Sequence, residues 1–355
     1  MPVEQPSFLD MRSLTSAWEC DRRGIDVLPV NPCDPRARPA NYPRLWLVPA
    51  PFGLGDEDTV WLGVGLAFVF FVSALAVTGP LTVREGLIYG IALCSPAVMF
   101  GVERGNPDLA IFALLASALL ALGGGAVRRV IAYGLLFLAA ALKLYPVFAW
   151  GVLARRARYV AVGAMLAAFC LHMTITFGEI RTILDVVPRE ILFSYGAGVL
   201  ADGLVDALDL PGATTSAILT AVVVLTGGLV AFALGLRWRS AGVRLQEDPR
   251  LDAFWAGAGI YVGSYAVMHN YDYRLAFLLL AIPALARGSG HGCAPIPMSA
   301  WGLAALLTSL ILAARQSDDL AGEEIVNWFL FVYLAAVLVA TFPLPSSRLQ
   351  TTRKL

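Results

Sequence analysis

The chain alternates between long apolar blocks and short polar joints. Most of the blocks approach the ~20 residues that an α-helix needs to cross a hydrocarbon layer of ~30 Å. This pattern predicts an all-α polytopic membrane protein with an N-terminal segment (1–58), a transmembrane domain (59–342) and a tail (343–355). The apolar blocks lie near residues 60–79, 86–101, 108–124, 130–152, 157–178, 214–236, 252–268, 273–287, 298–314 and 325–342.

The composition supports this class of protein. Of the 355 residues, 58% are hydrophobic and only 15% are charged, whereas about 25% are charged in an average soluble protein. The mean hydropathy is +0.71. The formal net charge is zero, so no basic excess indicates a nucleic-acid partner, and the lipid bilayer is the expected surrounding.

The basic residues indicate an orientation. Fourteen of them lie in the joints on the side opposite to residues 101–108, and five lie on the same side as that segment. Lysine and arginine collect in cytoplasmic loops, so we expect residues 101–108 to face away from the cytosol at the cell membrane. Six further arginines in the N-terminal segment narrow this bias. That segment is also expected outside, which requires either a preceding membrane helix that is missing here, the alternative we favour, or translocation of the segment unaided.

Residues 130–152 break the alternation of sides. Arginine clusters precede and follow this block, and one full span would place the clusters on opposite sides of the membrane. The sequence therefore predicts two half-helices that enter and leave from the cytosolic side and meet near Lys143 and Pro146, since proline favours a break. The alternative is a kinked single span with Lys143 snorkelling to the surface. With this block as a re-entrant pair, the sequence predicts about nine full membrane spans in addition to that pair.

The expected topology brings four polar regions to the outer side. They are residues 1–58, 103–108, 179–213 and 268–274, and Lys143 approaches them from within the membrane. A set of unrelated loops would scatter its charged groups over both sides. The sequence therefore predicts one extracytoplasmic site built from distant parts of the chain.

Several of these segments resemble glycosyltransferase family 87, which belongs to the GT-C class and contains polyprenyl-phosphate-mannose-dependent mannosyltransferases. The segments are Glu-Arg-Gly-Asn-Pro-Asp at 103–108, Ala-Leu-Lys-Leu-Tyr-Pro at 141–146, His-Asn-Tyr-Asp at 269–272, Asn-Tyr-Pro-Arg at 41–44 and Phe-Leu-Asp-Met-Arg at 8–12. The likeness extends to about residue 285. It implies a GT-C-like bundle, here without the usual first helix.

The resemblance implies an inverting transfer of a sugar, with mannose favoured, from polyprenyl phosphate to a glycan, glycolipid or protein. Such a reaction needs a base for the acceptor hydroxyl, and the resemblance makes Asp10 the candidate. From the residues alone, Asp10 is equally well a helix-capping residue. Glu103, also assigned to catalysis, could instead bind a divalent ion or balance Arg104.

The departing phosphate needs cations, and five are candidates. Arginine offers a planar fork and lysine a mobile point charge. Lys143 is favoured because a charge at membrane depth is costly. The alternatives are that Arg104 pairs with Glu103 or Asp108 and that Arg274 is an interfacial anchor. The candidates are Arg12, Arg44, Arg104, Lys143 and Arg274.

Other polar and aromatic residues complete the predicted substrate site. Asn106 has the pattern of a helix cap, and Gly105 lets the backbone turn. His269 and Asp272 are three residues apart and would share one face of a helix. No cofactor or metal is predicted, although the carboxylates of Asp10 and Glu103 could supply further ligands for a divalent ion. The remaining candidates are Tyr42, Asn106, Asp108, Tyr145, His269, Tyr271 and Asp272.

Two cysteines, Cys20 and Cys33, lie in the N-terminal segment. If that segment faces an oxidising space, they form the one plausible disulfide.

A transporter or flippase for lipid-linked sugars or other anions is the main alternative to an enzyme, because broken helices and a buried lysine also occur in transporters. The absence of an internal repeat and the gathering of charges on one side favour the enzyme. A purely structural membrane subunit is the third interpretation.

Overall fold

The computed structural model describes residues 7–187, 192–241, 250–267, 269–288, 298–313 and 320–343, without the side chains of residues 320 and 321. Within these ranges the chain is helical throughout except for loops and one two-stranded β-ribbon, so the predicted all-α fold is present. The tail expected after residue 343 lies outside the described residues. The helices are α1 Leu9–Arg22, α2 Thr59–Thr78, α3 Val83–Leu93, α4 Pro96–Arg104, α5 Asp108–Leu122, α6 Ala126–Leu142, α7 Gly151–Arg155, α8 Tyr159–Ile175, α9 Phe177–Val186, α10 Ala197–Ala207, α11 Gly212–Ser240, α12 Arg250–Val267, α13 Ile282–Gly288, α14 Ser299–Leu312 and α15 Leu320–Thr341.

Three stretches of the described chain are long and apolar enough to cross a membrane, and they are Asp56–Thr78, Gly212–Ser240 and Gly322–Thr341. Two bent pairs, α3 with α4 at 52° and α8 with α9 at 73°, raise the number to five if each pair is one span. Apolar side chains on α2 and α11, such as Phe68 and Leu229, are both 69% exposed, as expected of helices that face lipid. The prediction of about nine full spans is therefore wrong.

The other apolar blocks form shorter or buried elements. Helix α12 is buried along most of its length. Residues 273–287 are divided between a 3-10 helix, Asp272–Leu280, and the seven-residue α13. Helix α5 has 15 residues, most of them buried. Hydropathy does not separate a helix surrounded by lipid from one surrounded by protein, and short apolar stretches are usually core helices.

The chain reverses direction at the end of α6 and then runs back alongside that helix toward α8. Helix α6 ends at Leu142, and a 3-10 helix, Tyr145–Trp150, starts after two residues. The Trp150 indole donates to the Leu136 carbonyl of α6 at 3.2 Å. Further on, Arg156 donates to the Leu122 carbonyl at 2.9 Å, beside the start of α6. The break lies where Lys143 and Pro146 predicted it.

The N-terminal segment packs on the helical bundle. Thr15 of α1 and Thr59 of α2 share a hydrogen bond of 2.7 Å. The Trp18 indole donates to the Trp46 carbonyl at 2.6 Å, and the Trp46 indole donates to the Leu142 carbonyl at 3.0 Å. These contacts place α1 against the end of α6, next to the break that contains Lys143.

The β-ribbon joins the segment before α10 to the segment before Arg274. Strand β1, Ser194–Tyr195, pairs antiparallel with β2, Asn270–Tyr271. The backbone N–H of Gly196, directly after β1, donates to Glu324 of α15 at 3.2 Å. Since the 3-10 helix with Arg274 begins directly after β2, the ribbon sets the position of that arginine.

Candidate functional site

Six polar side chains from five segments form one linked group, called the charge cluster below. They come from α1, the end of α4, the turn and first residue of α5, the break after α6 and the 3-10 helix after β2. Each member is joined to at least one other by a hydrogen bond or an ion pair. Of the four polar regions expected to meet, 1–58, 103–108 and 268–274 contribute to the cluster together with Lys143, whereas the region 179–213 contributes no member. The members are Asp10, Arg104, Asn106, Asp108, Lys143 and Arg274.

Asp10 and Arg104 form the first pair. Arg104 donates from Nε to Asp10 Oδ2 at 2.9 Å and from Nη2 to Oδ1 at 2.8 Å, which is the two-pronged geometry that arginine forms with a carboxylate. Asp10 is 6% exposed. The guanidinium carbon lies 5.3 Å from the centre of the Phe100 ring. Asp10 therefore orients Arg104 and is itself held on both oxygens.

Gly105 is the reason that α4 stops where Arg104 meets Asp10. Its φ of 59° is left-handed, and the N–H groups of Gly105 and Asn106 bond to the Val102 and Gly101 carbonyls, the arrangement that ends many helices at glycine. A Cβ on Gly105 would lie 3.0 Å from Met11 Cβ. The glycine thus provides the turn, as predicted, and also admits α1.

Asn106 connects the two carboxylates of the cluster. Its Nδ2 donates to Asp10 Oδ2 at 2.6 Å, and its Oδ1 accepts the backbone N–H of Asp108 at 2.8 Å. The second bond is the predicted contact with the start of the helix, although Pro107 occupies the formal cap position. Asn106 is fully buried, so its role in this structure is to position Asp10.

Asp108 receives two cations. Lys143 forms an ion pair with one of its oxygens, and Arg274 Nε lies 3.4 Å from the other. Lys143 has extended backbone at the break after α6, and its ammonium lies 5.0 Å from the Tyr42 ring centre. The Arg274 guanidinium lies 4.2 Å above the Tyr145 ring. Both aromatic residues were predicted site residues, and both contact a cation.

The charges of the cluster do not cancel. Arg104, Lys143 and Arg274 carry three positive charges, and Asp10 and Asp108 carry two negative ones. Buried charges are costly unless they are paired. The surplus positive charge makes this part of the molecule suitable for an anionic group such as a phosphate.

Tyr42 contributes a neutral hydroxyl beside the cluster. Burial, followed by the negative charge of Asp10, raises the pKa of the Tyr42 hydroxyl well above its usual range. The hydroxyl therefore stays protonated at every physiological pH. It can donate a hydrogen bond to an anion or to a sugar oxygen.

Two predicted phosphate ligands lie outside the charge cluster. Arg12 of α1 pairs with Asp56. Arg44 is 45% exposed at its side chain and pairs with Asp26 at 2.7 Å. Each arginine already has its own carboxylate, so neither adds to the surplus charge. Glu103 lies half-buried on the last turn of α4, about 100° around the helix from Arg104.

His269 and Asp272 would share a face only on a helix, and residues 269–271 are not helical. Asn270 and Tyr271 form β2, and the 3-10 helix begins at Asp272. The His269 imidazole bonds to Asp202 of α10 at 3.0 Å, away from the cluster. Asp272 is buried. Extended backbone sends successive side chains to opposite sides, so His269 and Asp272 do not share a face.

Tyr271 and a possible metal site complete the predicted set. Tyr271 stacks on Tyr273, with ring centres 5.5 Å apart and planes at 15°, which leaves it half-buried beside the cluster. Across the described ranges, no three metal-ligating side chains come together. The site chemistry of these residues is that of carboxylates, cations and aromatic rings.

Asn270 belongs to the site but was not among the predicted residues. It is fully buried, and its Oδ1 accepts a hydrogen bond from Arg274 Nη1 at 2.6 Å. A polar residue four positions before a candidate arginine was the available signal. The neighbouring His269 and Asp272 were predicted instead, because their imidazole and carboxylate groups have more obvious chemistry.

Helix α1 is held in place by its own fold. A disulfide joins Cys20 at its end to Cys33 in the following loop. Arg38 donates to the Leu9 carbonyl at 3.0 Å and pairs with Asp34 at 2.8 Å. Burial, the largest single influence, acts to raise the pKa of the Asp34 carboxyl, but the hydrogen bonds from Arg38 and from the backbone N–H of Arg36, together with the charge of Arg38, lower the pKa overall. These contacts keep the start of α1, and hence Asp10, against the bundle.

No family model, curated protein or solved structure matches this chain. The resemblance to family 87 therefore stays a prediction from the sequence.

Proposed function

We propose that this chain is an integral membrane glycosyltransferase that moves a sugar from a polyprenyl-phosphate donor to an acceptor outside the cytosol. The charge cluster is the observation that supports it. A departing phosphate needs cations, and a hydroxyl nucleophile needs a carboxylate base. The cluster contains both, and its Arg104 ends α4, which together with α3 forms a bent pair that is long and apolar enough to enter a membrane. A donor with an anionic head and an apolar tail matches these surroundings.

In the proposed reaction the acceptor oxygen attacks the anomeric carbon from the side opposite to the phosphate. A bond forms between these two atoms while the bond from the anomeric carbon to the phosphate oxygen breaks, which inverts the configuration. The acceptor proton passes to a carboxylate. The negative charge that develops on the leaving polyprenyl phosphate is stabilised by the cations of the cluster.

Asp10 is the proposed base. It lies on α1, outside the apolar spans. Its oxygens accept hydrogen bonds from Arg104 and Asn106, which fix the direction of the remaining lone pairs. An acceptor hydroxyl has to meet one of those lone pairs within hydrogen-bond reach. Glu103, half-buried nearby, is proposed to contact the acceptor.

Mannose is the proposed sugar because of the resemblance to family 87, and the acceptor is a glycan, a glycolipid or a protein. The proposed location is the cell membrane, with the charge cluster on the extracytoplasmic side. The excess of basic residues in the opposite joints supports this orientation.

The decisive experiment is turnover of a radiolabelled polyprenyl-phosphate sugar by the purified chain in lipid nanodiscs. Parallel reactions offer mannose, arabinose or glucose as the sugar, together with a membrane extract as the source of acceptors. Transfer gives free polyprenyl phosphate and a labelled acceptor. Recovery of intact donor in every reaction contradicts the proposal. Movement of intact donor across a vesicle membrane would establish a flippase instead.

Asp10→Asn tests the base, because asparagine keeps an oxygen acceptor for Arg104. We expect turnover to fall by about two orders of magnitude or more, the usual contribution of a general base. Asp21→Asn, on the same helix and at its other end, is the matched control and should retain activity. Equal activity of Asp10→Asn and the control would remove Asp10 from this role.

A further inference from the structure

The three cations of the charge cluster differ in how completely they are neutralised. Arg104 makes two hydrogen bonds to Asp10, at 2.8 and 2.9 Å. Lys143 forms a direct ion pair with Asp108. Arg274 reaches Asp108 only through Nε, at 3.4 Å. Of the three cations, Arg274 therefore has the longest contact with a carboxylate of the cluster.

A neutral residue holds Arg274 on its other side. Arg274 Nη1 donates to Asn270 Oδ1 at 2.6 Å, the shortest hydrogen bond that this guanidinium makes with a described residue. A carboxylate in this place would neutralise the arginine. An amide accepts the hydrogen bond and leaves the positive charge available for another anion.

The orientation of the Asn270 amide is fixed. Its Nδ2 donates to the Ser264 carbonyl of α12 at 3.0 Å, so its oxygen has to point to Arg274. The residue is fully buried, and its backbone is paired with Tyr195 in the β-ribbon. Neither rotation of the amide nor displacement of the strand is available without loss of these bonds.

The guanidinium plane is also held. Arg274 lies over the Tyr145 ring, 4.2 Å from its centre, and arginine is well suited to such stacking. A guanidinium that is held by an amide on one edge and by a ring on one face needs little reorganisation to receive two oxygens. A phosphate ester offers two oxygens in the matching geometry.

We propose that Asn270 is a positioning residue that holds Arg274 as the main cation for a phosphate ester, ahead of Lys143. The inference rests on the proposed function, because it names the residue that binds the phosphate of the lipid donor. Asn270 itself does not contact the donor and acts through Arg274. Lys143 serves mainly to neutralise Asp108.

The test measures binding without turnover. Farnesyl phosphate is titrated into the purified full-length chain in detergent micelles, with farnesol and inorganic phosphate as parallel ligands. Arg274→Gln should weaken farnesyl phosphate binding by about tenfold to a hundredfold, as expected from the loss of charge-assisted hydrogen bonds. Farnesol binding should stay unchanged. Lys143→Gln should weaken farnesyl phosphate binding less than Arg274→Gln does.

Asn270→Asp tests the positioning role, because aspartate has nearly the same shape and brings a negative charge next to Arg274. We expect about the same loss of farnesyl phosphate affinity as in Arg274→Gln. In the Arg274→Gln background the Asn270→Asp change should have no further effect, since non-additivity marks residues that act together. If Asn270→Asp does not fold, Asn270→Ser takes its place, with a smaller loss expected that also disappears in that background.

Tyr89→Phe is the matched control for a lost buried hydrogen bond. The Tyr89 hydroxyl of α3 donates to the Ala74 carbonyl of α2 at 2.9 Å, and neither residue is a member of the charge cluster. Its farnesyl phosphate affinity should equal that of the original chain. A purely structural role of Asn270 would give additive effects with Arg274→Gln and would also weaken farnesol binding.

The outcomes separate the two proposals. Phosphate binding that depends on Arg274, without sugar transfer in the turnover experiment, leaves the inference standing and removes the transferase. Sugar transfer with unchanged affinity in Arg274→Gln overturns the inference alone. Inorganic phosphate binding as tightly as farnesyl phosphate overturns the assignment to a lipid. Absence of any farnesyl phosphate binding contradicts both.

Discussion

Arg104 donates two hydrogen bonds to Asp10, a residue 94 positions earlier in the chain. This pair joins α1 of the N-terminal segment to the end of α4. Both side chains are largely withdrawn from solvent, with 18% and 8% exposed. Removal of one partner leaves the other charge buried and uncompensated, which is far more costly than removal of both.

The first prediction concerns this pair. Arg104→Gln should lower the free energy of unfolding by about 3 kcal/mol, because Asp10 loses its charge partner. The double variant Asp10→Asn with Arg104→Gln should be more stable than Arg104→Gln alone. Thermal unfolding in one detergent, followed by circular dichroism, gives both comparisons. Additive losses in the double variant would mean that the two side chains do not interact.

The second prediction concerns the turn between α4 and α5. Gly105→Ala should destabilise the protein by about 1–3 kcal/mol, because the backbone is left-handed there and the new methyl group meets Met11. It should also lower activity, since α1 carries Asp10. Gly90→Ala on α3 is the matched control. Nothing lies within 4 Å of its added Cβ, so it should be neutral or slightly stabilising. Equal melting temperatures for the two variants would contradict this account.

The location of the site was predictable from the sequence, but its internal pairing was not. The topology put residues 103–108, Lys143 and Arg274 on one side because charged joints have to leave the membrane. It did not choose the partner of each charge. Glu103 and Asp108 were the alternative partners of Arg104, and the structure shows an ion pair with Asp10.

The number of spans was not predictable for a different reason. An apolar block reports that a helix avoids water, and protein and lipid satisfy that requirement equally. Helix α12 and the 3-10 helix with Arg274 are apolar because the bundle surrounds them. Likewise, the spacing of four residues between Asn270 and Arg274 does not show that the two side chains meet, since the β-ribbon that orients Asn270 pairs residues 75 positions apart.

The third prediction concerns the disulfide of the N-terminal segment. Replacing Cys20 and Cys33 together by serine should cost about 2–3 kcal/mol of stability, in line with the small loop that the bridge closes. The melting temperature of the original chain should fall to the same value in a reducing agent. Cys94→Ser and Cys170→Ser, at free and exposed cysteines, should change nothing. An unchanged melting temperature on reduction would contradict a stabilising role.

The fourth prediction concerns acid stability. The pKa of Asp34 is lowered in the folded protein, because the hydrogen bonds from Arg38 and the Arg36 backbone and the charge of Arg38 together exceed the effect of burial. A carboxyl with a lowered folded pKa stabilises the protein above its unfolded pKa of about 3.9 and loses that contribution as the pH falls below this value and through the lower folded pKa. Asp34→Asn should therefore be less stable than the original chain at pH 7, and the difference should shrink as the pH falls below about 4. A difference that stays constant between these pH values would exclude the ion pair as the cause.

The last prediction concerns the path of the chain around Lys143. A re-entrant pair puts Val127 and Val160, before and after the turn, on the same side of the membrane, whereas a single kinked span puts them on opposite sides. Both side chains are exposed, at 74% and 88%, so single cysteines there should react with a membrane-impermeant maleimide. In a background with Cys94, Cys170 and Cys293 replaced by serine, we expect both positions to react only after the cells are opened. A cysteine in place of Phe52, 79% exposed in the N-terminal segment, should react in intact cells and serves as the control. Reaction of Val127→Cys and Val160→Cys from different sides of the membrane would show a single kinked span instead of a re-entrant pair. Lys143 would then not lie at the end of a hairpin.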